Sequence, residues 1–229
     1  MPITTCIFDA YGTLFDVAAA ARTAAAEPGR EALAAKWPAI AEHWRLKQLQ
    51  YSWLRAITGE YCQFWQVTEE ALDWALEAEG LDGDADLRDR LLQLYWELEA
   101  YPEAPAMLAT LRDAGLNTAI LSNGSPAMLG AAVHSAKLGD LLDGTLSVEA
   151  VRIFKPAACV YDMVGTRFGC AREEVLFVSA NGWDAAAAAS YGFHVAWVNR
   201  KGEPMDRLPA RPGHVMPDLN GIPALAGAL

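Results

Sequence analysis

Four short apolar runs, separated by segments with helical periodicity, constrain the fold of this chain more than any other feature. They cover residues 3–8, 118–121, 175–178 and 195–198, and each has the length of a strand that is buried on both faces. Strands that alternate with helices form parallel sheets, because each connecting helix packs on a face of the sheet. The pattern therefore predicts an α/β fold with a doubly wound parallel sheet.

Local signals predict where several of the helices begin and end. Ser125 followed by Pro126 is typical of a helix start, with serine as the N-cap and proline at the first helical position. A helix over residues 157–168 is expected to end at Gly169. Asp184 is predicted to cap the alanine-rich helix that follows it. These signals support the alternation of strands and helices.

Residues 16–101 differ from the rest of the chain, because they show helical periodicity throughout and contain no convincing strand. We expect an inserted helical cap subdomain here, while residues 1–15 and 102–229 form the core that contains the sheet. Two apolar stripes are predicted to lie each on one helix face, as packing surfaces of the core or of a subunit interface. The first stripe comprises Ile40, Trp44, Leu49, Trp53 and Ile57, and the second comprises Leu87, Leu91, Leu94 and Leu98.

The net charge restricts the partners of the chain. Its 229 residues are 53% hydrophobic and can bury a full core, yet the formal net charge is -11 at pH 7. Such a field repels nucleic acid and anionic membrane surfaces. A small anionic substrate would need local positive charge from particular Lys or Arg side chains. We therefore expect a small-molecule ligand, with neither nucleic acid nor membrane as a partner.

Signals for export or membrane insertion are missing from the sequence. The first residues, MPITTCIFDAYG, lack a basic region and a long apolar stretch, and no later segment reaches the roughly 18 to 20 apolar residues of a membrane span. The four cysteines are scattered without a CxxC pair, which indicates neither a disulfide framework nor a structural zinc site. We expect a cytoplasmic protein with reduced thiols.

Polar residues directly follow three of the predicted strands. In an open parallel sheet, ligands bind beyond the carboxyl ends of the strands, so these residues are candidates for a site. The first strand leads to Asp9, the second to Ser122 and Asn123, and a later one to Ser179 and Asn181. A single aspartate or serine at a strand end is usually a turn residue or a helix cap. Three such strand ends together indicate a functional site.

Four motifs resemble the haloacid dehalogenase superfamily, along essentially the whole chain. They are DAYGTLFD, LSNGSP, the Lys-Pro of FKP and VSANGWD, in this order. The resemblance implies a Rossmann-like core and a carboxylate nucleophile at Asp9. Phosphatases of this superfamily carry a second aspartate where this chain has Tyr11, and acidic metal ligands in the last motif, where this chain offers only Asp184. Because Mg²⁺ prefers several oxygen ligands, usually anionic ones, we expect no metal ion and no other cofactor.

A further segment, HWRLKQLQYSWLR in the helical insertion, is similar to the L-2-haloacid dehalogenases, the type II branch of the superfamily. The resemblance implies hydrolysis of a short-chain (S)-2-haloacid to the (R)-2-hydroxyacid and halide, through an ester on Asp9 and with inversion at carbon 2. It also implies a homodimer that associates through the cap. Two alternatives stay open: a magnesium-dependent small-molecule phosphatase of the same superfamily, and a catalytically silent binding protein with this fold.

The resemblance assigns the catalytic roles to residues at the strand ends. Asp9 attacks carbon 2, Lys155 keeps the Asp9 carboxylate ionised, and Asp184 is the base that activates water for hydrolysis of the ester. The residues that orient these groups or donate to the developing oxyanion are Thr13, Tyr161, Ser179 and Asn181.

The same resemblance implies how the substrate is held. Its carboxylate is bound by Ser122 and by backbone donors around Ala10 and Tyr11. Arg45 of the cap, helped by Asn123, receives the halide and supplies the local cation that the net charge of the protein demands. The apolar wall around the halogen-bearing carbon comprises Tyr11, Leu49, Phe64 and Trp183.

Overall fold

The structure, a computed structural model, describes residues 1–229 and contains one six-stranded sheet. Its strands are β1 (Thr5–Phe8), β2 (Asn117–Ser122), β3 (Gly144–Ser147), β4 (Val175–Ser179), β5 (His194–Val198) and β6 (His214–Met216). Their order is β3-β2-β1-β4-β5-β6, and all neighbouring strands are parallel. β1 therefore lies in the middle of the sheet, where the strand order reverses and where doubly wound folds bind their ligands. The predicted fold class is confirmed.

Nine α-helices connect and follow the strands. They are α1 (Ala19–Ala25), α2 (Glu31–Thr58), α3 (Phe64–Ala78), α4 (Ala85–Trp96), α5 (Ala104–Asp113), α6 (Pro126–Ser135), α7 (Ala158–Phe168), α8 (Gly182–Tyr191) and α9 (Ile222–Ala228). Helices α1 to α4 all lie between β1 and β2. Their position supports the division into a core and a helical cap over residues 16–101, which stays a prediction. No helix is both long and apolar enough to cross a membrane, and all four cysteines are free thiols.

All four predicted strands are present, but the two edge strands were not predicted. β3 has the sequence GTLS and β6 has the sequence HVM, and most of their residues are only partly buried or exposed. An edge strand is covered less completely than a central one, so it needs no continuous apolar run. The two edge strands therefore carry little signal in the sequence.

The predicted starts and ends of helices are confirmed at two places. The side chain of Ser125 accepts a hydrogen bond from the backbone amide of Met128, as an N-cap does. Gly169 ends α7 in the left-handed conformation, with φ of 65°. Both signals are local, because cap residues bond to backbone groups within one helical turn.

The prediction that Asp184 caps α8 is wrong. α8 begins at Gly182, so Asp184 lies within its first turn, and Asn181 occupies the N-cap position without a side-chain cap bond. The carboxylate of Asp184 is fully buried and accepts hydrogen bonds from Lys155 and Tyr161 instead. A carboxylate forms a stronger hydrogen bond with a buried ammonium than with a backbone amide. Asp184 therefore binds Lys155 and does not cap the helix.

The prediction that the first apolar stripe lies on one face of α2 is also wrong. The buried face of α2 comprises Leu33, Ile40, Trp44, Gln48 and Ser52. Leu49 follows Trp44 by five residues, which is one helical turn plus about 140° around the helix axis. Leu49 and Trp53 therefore point away from the buried face. The ring of Trp53 packs edge-on against Trp183 of the core, at 5.3 Å between centroids, and Ile57 is 81% exposed.

The second stripe packs as predicted. Leu87, Leu91, Leu94 and Leu98 are all buried, the first three on α4 and the last just beyond its end. Their spacings of four, three and four stay close to the helical repeat, so the stripe does not rotate away from its face.

Candidate active site

Asp9 directly follows β1, at the centre of the sheet, and its side chain is almost completely buried. Lys155 Nζ donates a hydrogen bond to Asp9 Oδ1 at 3.2 Å. Thr13 Oγ1 and Asn181 Nδ2 both donate to Asp9 Oδ2 at 2.9 Å. Three donors, one of them a cation, therefore hold the carboxylate in one orientation.

Lys155 connects Asp9 to a second carboxylate. Its side chain is 1% exposed, and its Nζ also donates to Asp184 Oδ2 at 2.8 Å. Burial acts to lower the pKa of Lys155, but Asp184 and Asp9 outweigh burial, so the pKa is raised above its ordinary value. The site therefore contains a buried ammonium between two carboxylates.

Asp184 lies behind Lys155 and does not line the cavity beside Asp9. Tyr161 OH donates to Asp184 Oδ1 at 2.7 Å, and Ser179 Oγ donates to Oδ2 at 3.3 Å. Burial raises the pKa of Asp184, against the opposing effect of Lys155, and burial likewise keeps the pKa of Tyr161 well above its ordinary value. The role of Asp184 as the base for water stays a prediction.

A small cavity of about 30 Å³ lies beside Asp9. It is lined by Asp9, Tyr11, Arg45, Gln48, Leu49, Phe64, Tyr95, Ser122, Asn123, Lys155, Asn181 and Trp183. All of these except Gln48 and Tyr95 were predicted as site residues from the sequence. The predicted residues that do not line the cavity are Ala10, Thr13, Tyr161, Ser179 and Asp184, and the last four bond to each other, to Asp9 or to Lys155.

Arg45 brings a positive charge from the helices between β1 and β2 into this cavity. It lies on α2, and its Nη2 donates to Asn181 Oδ1. Gly12 packs against the guanidinium: a Cβ atom at position 12 would lie 3.2 Å from Arg45 Nη2, and the backbone φ there is +86°. Glycine is therefore required at position 12 both by its backbone conformation and by the approach of Arg45.

Several hydrogen-bond donors at the strand ends have no partner in the protein. The backbone amides of Ala10 and Tyr11 donate to no other backbone group, and the hydroxyl of Ser122 only accepts, from Gly124 N at 3.1 Å. Asn123 uses its side-chain oxygen to accept from the backbone amide of Lys155 at 2.9 Å. These free donors form an arrangement that suits an anionic group such as a carboxylate.

Aromatic rings form much of the wall of the cavity. The ring of Tyr11 stacks on Phe64 at 5.9 Å and on Tyr95 at 5.5 Å between centroids. Trp183 lines the same cavity, and its buried indole N–H has no partner in the protein. The wall thus combines aromatic rings with polar and charged side chains that their neighbours hold in place, as small-molecule sites do.

Gln48 and Tyr95 are the two lining residues that sequence reasoning missed. Gln48 follows Trp44 by one helical turn, and a polar residue on a buried helix face is a signal that could have found it. Tyr95 follows Leu94 in the second apolar stripe, where an aromatic residue indicates nothing more than packing. Its contact with the cavity follows from the tertiary structure alone.

The donor set of the site does not fit a divalent metal ion. No group of three or more His, Cys, Asp or Glu side chains is arranged to hold one. The two carboxylates of the site, Asp9 and Asp184, both bind the ammonium of Lys155. Mg²⁺ prefers six oxygen ligands in a near-octahedral arrangement, and these residues do not supply them.

Known proteins share this arrangement of fold and motifs. A model of the haloacid dehalogenase-like hydrolase family matches residues 3–192. The chain belongs to this family. It is 42% identical over 224 residues to (S)-2-haloacid dehalogenase 1 of Pseudomonas sp. (strain CBS-3). This alignment covers 98% of this chain and 96% of that relative. It is 47% identical over 199 residues to the (S)-2-haloacid dehalogenase of Xanthobacter autotrophicus, covering 86% and 76% of the two chains.

Solved structures of this family agree with the fold. The L-2-haloacid dehalogenase from Xanthobacter autotrophicus with chloropropionic acid covalently bound superimposes with a TM-score of 0.85 at 41% sequence identity, covering 97% of this chain and 98% of that chain. The predicted family is therefore confirmed, and so is the predicted resemblance to its L-2-haloacid dehalogenase branch.

Proposed function

We propose that this protein hydrolyses the carbon–halogen bond of a short-chain (S)-2-haloacid to give the (R)-2-hydroxyacid and halide. One observation carries the proposal: the carboxylate of Asp9, oriented by Lys155, lines a small cavity with an aromatic wall, which the side chain of Arg45 also lines. A nucleophile and a cation for the leaving halide thus meet in one place. The (S)-2-haloacid dehalogenases among its relatives, and the relative with chloropropionic acid covalently bound, support this reaction.

In the first step, an oxygen of Asp9 attacks carbon 2 from the side opposite the halogen. The new carbon–oxygen bond forms an ester while the carbon–halogen bond breaks, and the halide leaves with the electron pair. Ser122 and the free amides of Ala10 and Tyr11 bind the substrate carboxylate. Arg45 stabilises the negative charge that develops on the halide.

In the second step, water attacks the acyl carbon of Asp9 and releases the hydroxyacid. The ester bond between that carbon and the substrate oxygen breaks, so the product hydroxyl contains an oxygen that belonged to Asp9. One proton of the water must leave, and we assign its acceptance to Asp184, which is connected to Asp9 through Lys155. Asp184 then returns this proton to the departing oxygen, which becomes the product hydroxyl, and the second proton of the water is released when the Asp9 carboxylate is regenerated. Its raised pKa suits a proton acceptor.

Labelled water tests the reaction. Excess enzyme is mixed with (S)-2-chloropropionate in ¹⁸O-water that contains a chelator, and chloride release and the position of the label are measured. We expect chloride release, label in Asp9 and none in the product of the first turnover. Label in that first product would mean that water attacks carbon 2 directly.

The control pair for this experiment is Asp9→Asn and Asp16→Asn. The first should abolish ester formation, whereas the second alters an aspartate outside the cavity and should leave it unchanged. Failure of the wild type to release chloride, together with magnesium-dependent release of phosphate from a phosphate ester, would establish the phosphatase alternative. Failure in both assays would indicate a silent binding protein.

We also propose that the protein is a homodimer that associates through the cap. Large apolar side chains are exposed along α2 and α3: Leu46, Leu54, Ile57 and Trp74. Their burial against a second copy would remove this surface from water. Light scattering should give the mass of two chains, and Ile57→Glu should give the mass of one, whereas a wild-type monomer would contradict the proposal. A cytoplasmic location stays a prediction, which the four free thiols support.

A further inference from the structure

Gln48, Thr68 and Tyr95 form a polar cluster within the cap, and all three are buried. Gln48 Nε2 donates to Thr68 Oγ1 at 2.9 Å and to Tyr95 OH at 3.1 Å. Gln48 and Tyr95 also line the cavity beside Asp9, whereas Thr68 lies behind them. Because buried polar groups need partners, the hydrogen bonds of this cluster can be followed atom by atom.

The direction of these hydrogen bonds is determined at Thr68. Its hydroxyl donates to the carbonyl of Phe64 at 2.9 Å, so towards Gln48 it can only accept. Gln48 must therefore turn its nitrogen, and not its oxygen, towards Thr68. The same nitrogen donates to the oxygen of Tyr95. The hydroxyl hydrogen of Tyr95 is left without an acceptor in the protein.

Tyr95 is held firmly in this position. Its ring stacks on Tyr11 at 5.5 Å and packs against Trp44 at 5.1 Å between centroids. Burial raises its pKa to about 12, so the hydroxyl keeps its proton at neutral pH. A buried donor without a partner costs free energy, and a ligand in the cavity that accepts the hydrogen bond would recover it.

The ligand of the proposed reaction has two groups that can accept this hydrogen bond, its carboxylate and its halogen. The free donors that suit the carboxylate, at Ala10, Tyr11 and Ser122, all belong to the strand ends of the core. Tyr95 belongs to the cap, as Arg45 does, and both line the same cavity. The cap therefore supplies a neutral donor in addition to the cation.

We propose that the hydroxyl of Tyr95 donates a hydrogen bond to the departing halide, as a catalytic group beside Arg45, and so determines which halogens the enzyme removes. This inference rests on the proposed function. As the carbon–halogen bond breaks, the electron pair moves to the halogen and the O–H···halide bond strengthens, while the proton stays on Tyr95. The interaction is thus stronger in the transition state than in the bound substrate, which is the condition for catalysis.

Leaving groups that accept hydrogen bonds to different extents test this role. Tyr95→Phe is compared with the wild type on (S)-2-chloro-, 2-bromo- and 2-iodopropionate, by rapid quench with excess enzyme. Because chloride accepts hydrogen bonds more strongly than iodide, ester formation should slow by about 100-fold with the chloro substrate and by only a few-fold with the iodo substrate. Hydrolysis of the ester, which follows loss of the halide, should keep its rate.

The matched control is Tyr61→Phe, which removes a hydroxyl that has no partner and does not line the cavity. It should leave all three rates unchanged. A loss in Tyr95→Phe that is equal for the three halogens, or no loss, would overturn the role of Tyr95. Partial unfolding slows all three substrates equally and cancels in the ratio.

A second variant covers the case in which Tyr95→Phe does not fold. In Gln48→Glu the new carboxylate accepts a hydrogen bond from the Tyr95 hydroxyl, which can then no longer donate to the halide. Ester formation should again slow more with the chloro substrate than with the iodo substrate, while the ring of Tyr95 stays in place. An ungraded loss would overturn the proposal here too. Failure of the wild type on all three substrates is a separate outcome, which contradicts the proposed function itself.

Discussion

At the scale of single residues, the charge balance of the site depends on Lys155. Its ammonium lies 3.2 Å from Asp9 and 2.8 Å from Asp184, and 5.0 Å from the centre of the Phe177 ring. Removal of one member of a buried charge cluster leaves the others unpaired, which costs more than the cluster as a whole contributes. Lys155 therefore contributes both to the stability of the core and to the charge of the Asp9 carboxylate.

The first prediction concerns Lys155→Met. Without the ammonium, the carboxylates of Asp9 and Asp184 are buried without a cation and repel each other. The free energy of unfolding should fall by about 3–5 kcal/mol in urea denaturation. Ester formation, followed by rapid quench, should slow by about 100- to 1000-fold. Lys201→Met changes an exposed lysine and serves as the control. Ester formation at the wild-type rate in Lys155→Met would contradict this account.

The second prediction concerns alkaline pH. In the unfolded chain Lys155 loses its proton near pH 10.5, whereas in the folded protein Asp184 and Asp9 outweigh burial and raise its pKa above that value. The stability that the ammonium contributes is therefore complete below pH 10.5 and is lost as the pH rises through the folded value. Urea denaturation across this range should show a steeper loss for the wild type than for Lys155→Met. Parallel plots of unfolding free energy against pH for the two proteins would contradict this contribution of Lys155.

At the scale of secondary-structure elements, the site depends on the contact between the loop after β1 and the helix α2. Asp9 and Gly12 lie in this loop, while Arg45 reaches it from α2, a helix of 28 residues that begins at Glu31. The close approach at Gly12 sets the distance between the nucleophile and the cation. Small changes in such a contact are expected to have large effects on the rate.

The third prediction therefore concerns Gly12→Ala. The new Cβ atom would strain the backbone and displace the guanidinium of Arg45. The free energy of unfolding should fall by about 1–3 kcal/mol, and kcat/KM should fall by about 100-fold. Gly59→Ala is the matched control, because Gly59 also has a positive φ, of 74°, but no atom within 4 Å of the added Cβ. It should lose stability and keep activity; equal activity in the two variants would exclude a role for the contact.

At the scale of the whole molecule, the cavity beside Asp9 is too small for the proposed substrate. Its volume of about 30 Å³ has space for about two water molecules, at roughly 10–15 Å³ for each of them. A second cavity of about 590 Å³ shares Arg45, Leu49, Asn181 and Trp183 with it as lining residues. Since α2 carries Arg45 and Leu49 of both cavities, we expect entry of a haloacid to require a movement of α2 away from the loop after β1.

The fourth prediction follows from this requirement. Propionate, which has a carboxylate but no leaving group, should bind and hold α2 against the loop after β1. Hydrogen–deuterium exchange of peptides that cover residues 9–15 and 40–63 should then slow, because the ligand favours the closed state. Peptides from α5 and α9, whose residues do not line the cavity, serve as the control and should not change. Unchanged exchange over residues 9–15 and 40–63 at saturating propionate would contradict the required movement.

The elements that could be predicted from the sequence are those with local signals. The four central strands have continuous apolar runs because both of their faces are buried, and Asp9 follows the first of them directly. The edge strands β3 and β6 have no such run, because an edge is only partly covered. The resemblance to the family predicted ten of the twelve residues that line the cavity, and three of these, Arg45, Leu49 and Phe64, lie on helices and not at strand ends.

The amino-acid sequence by itself determined the parallel sheet, the family and the position of Asp9 at the end of the first strand. Only the tertiary structure decided that Asp184 bonds to Lys155 and Tyr161 rather than capping α8. It also decided which face of α2 is buried, and that Gln48 and Tyr95 reach the cavity. The physical reason is the same in each case: these contacts join segments that are far apart in the chain, and their energies depend on packing and charge across that distance, which no local pattern records.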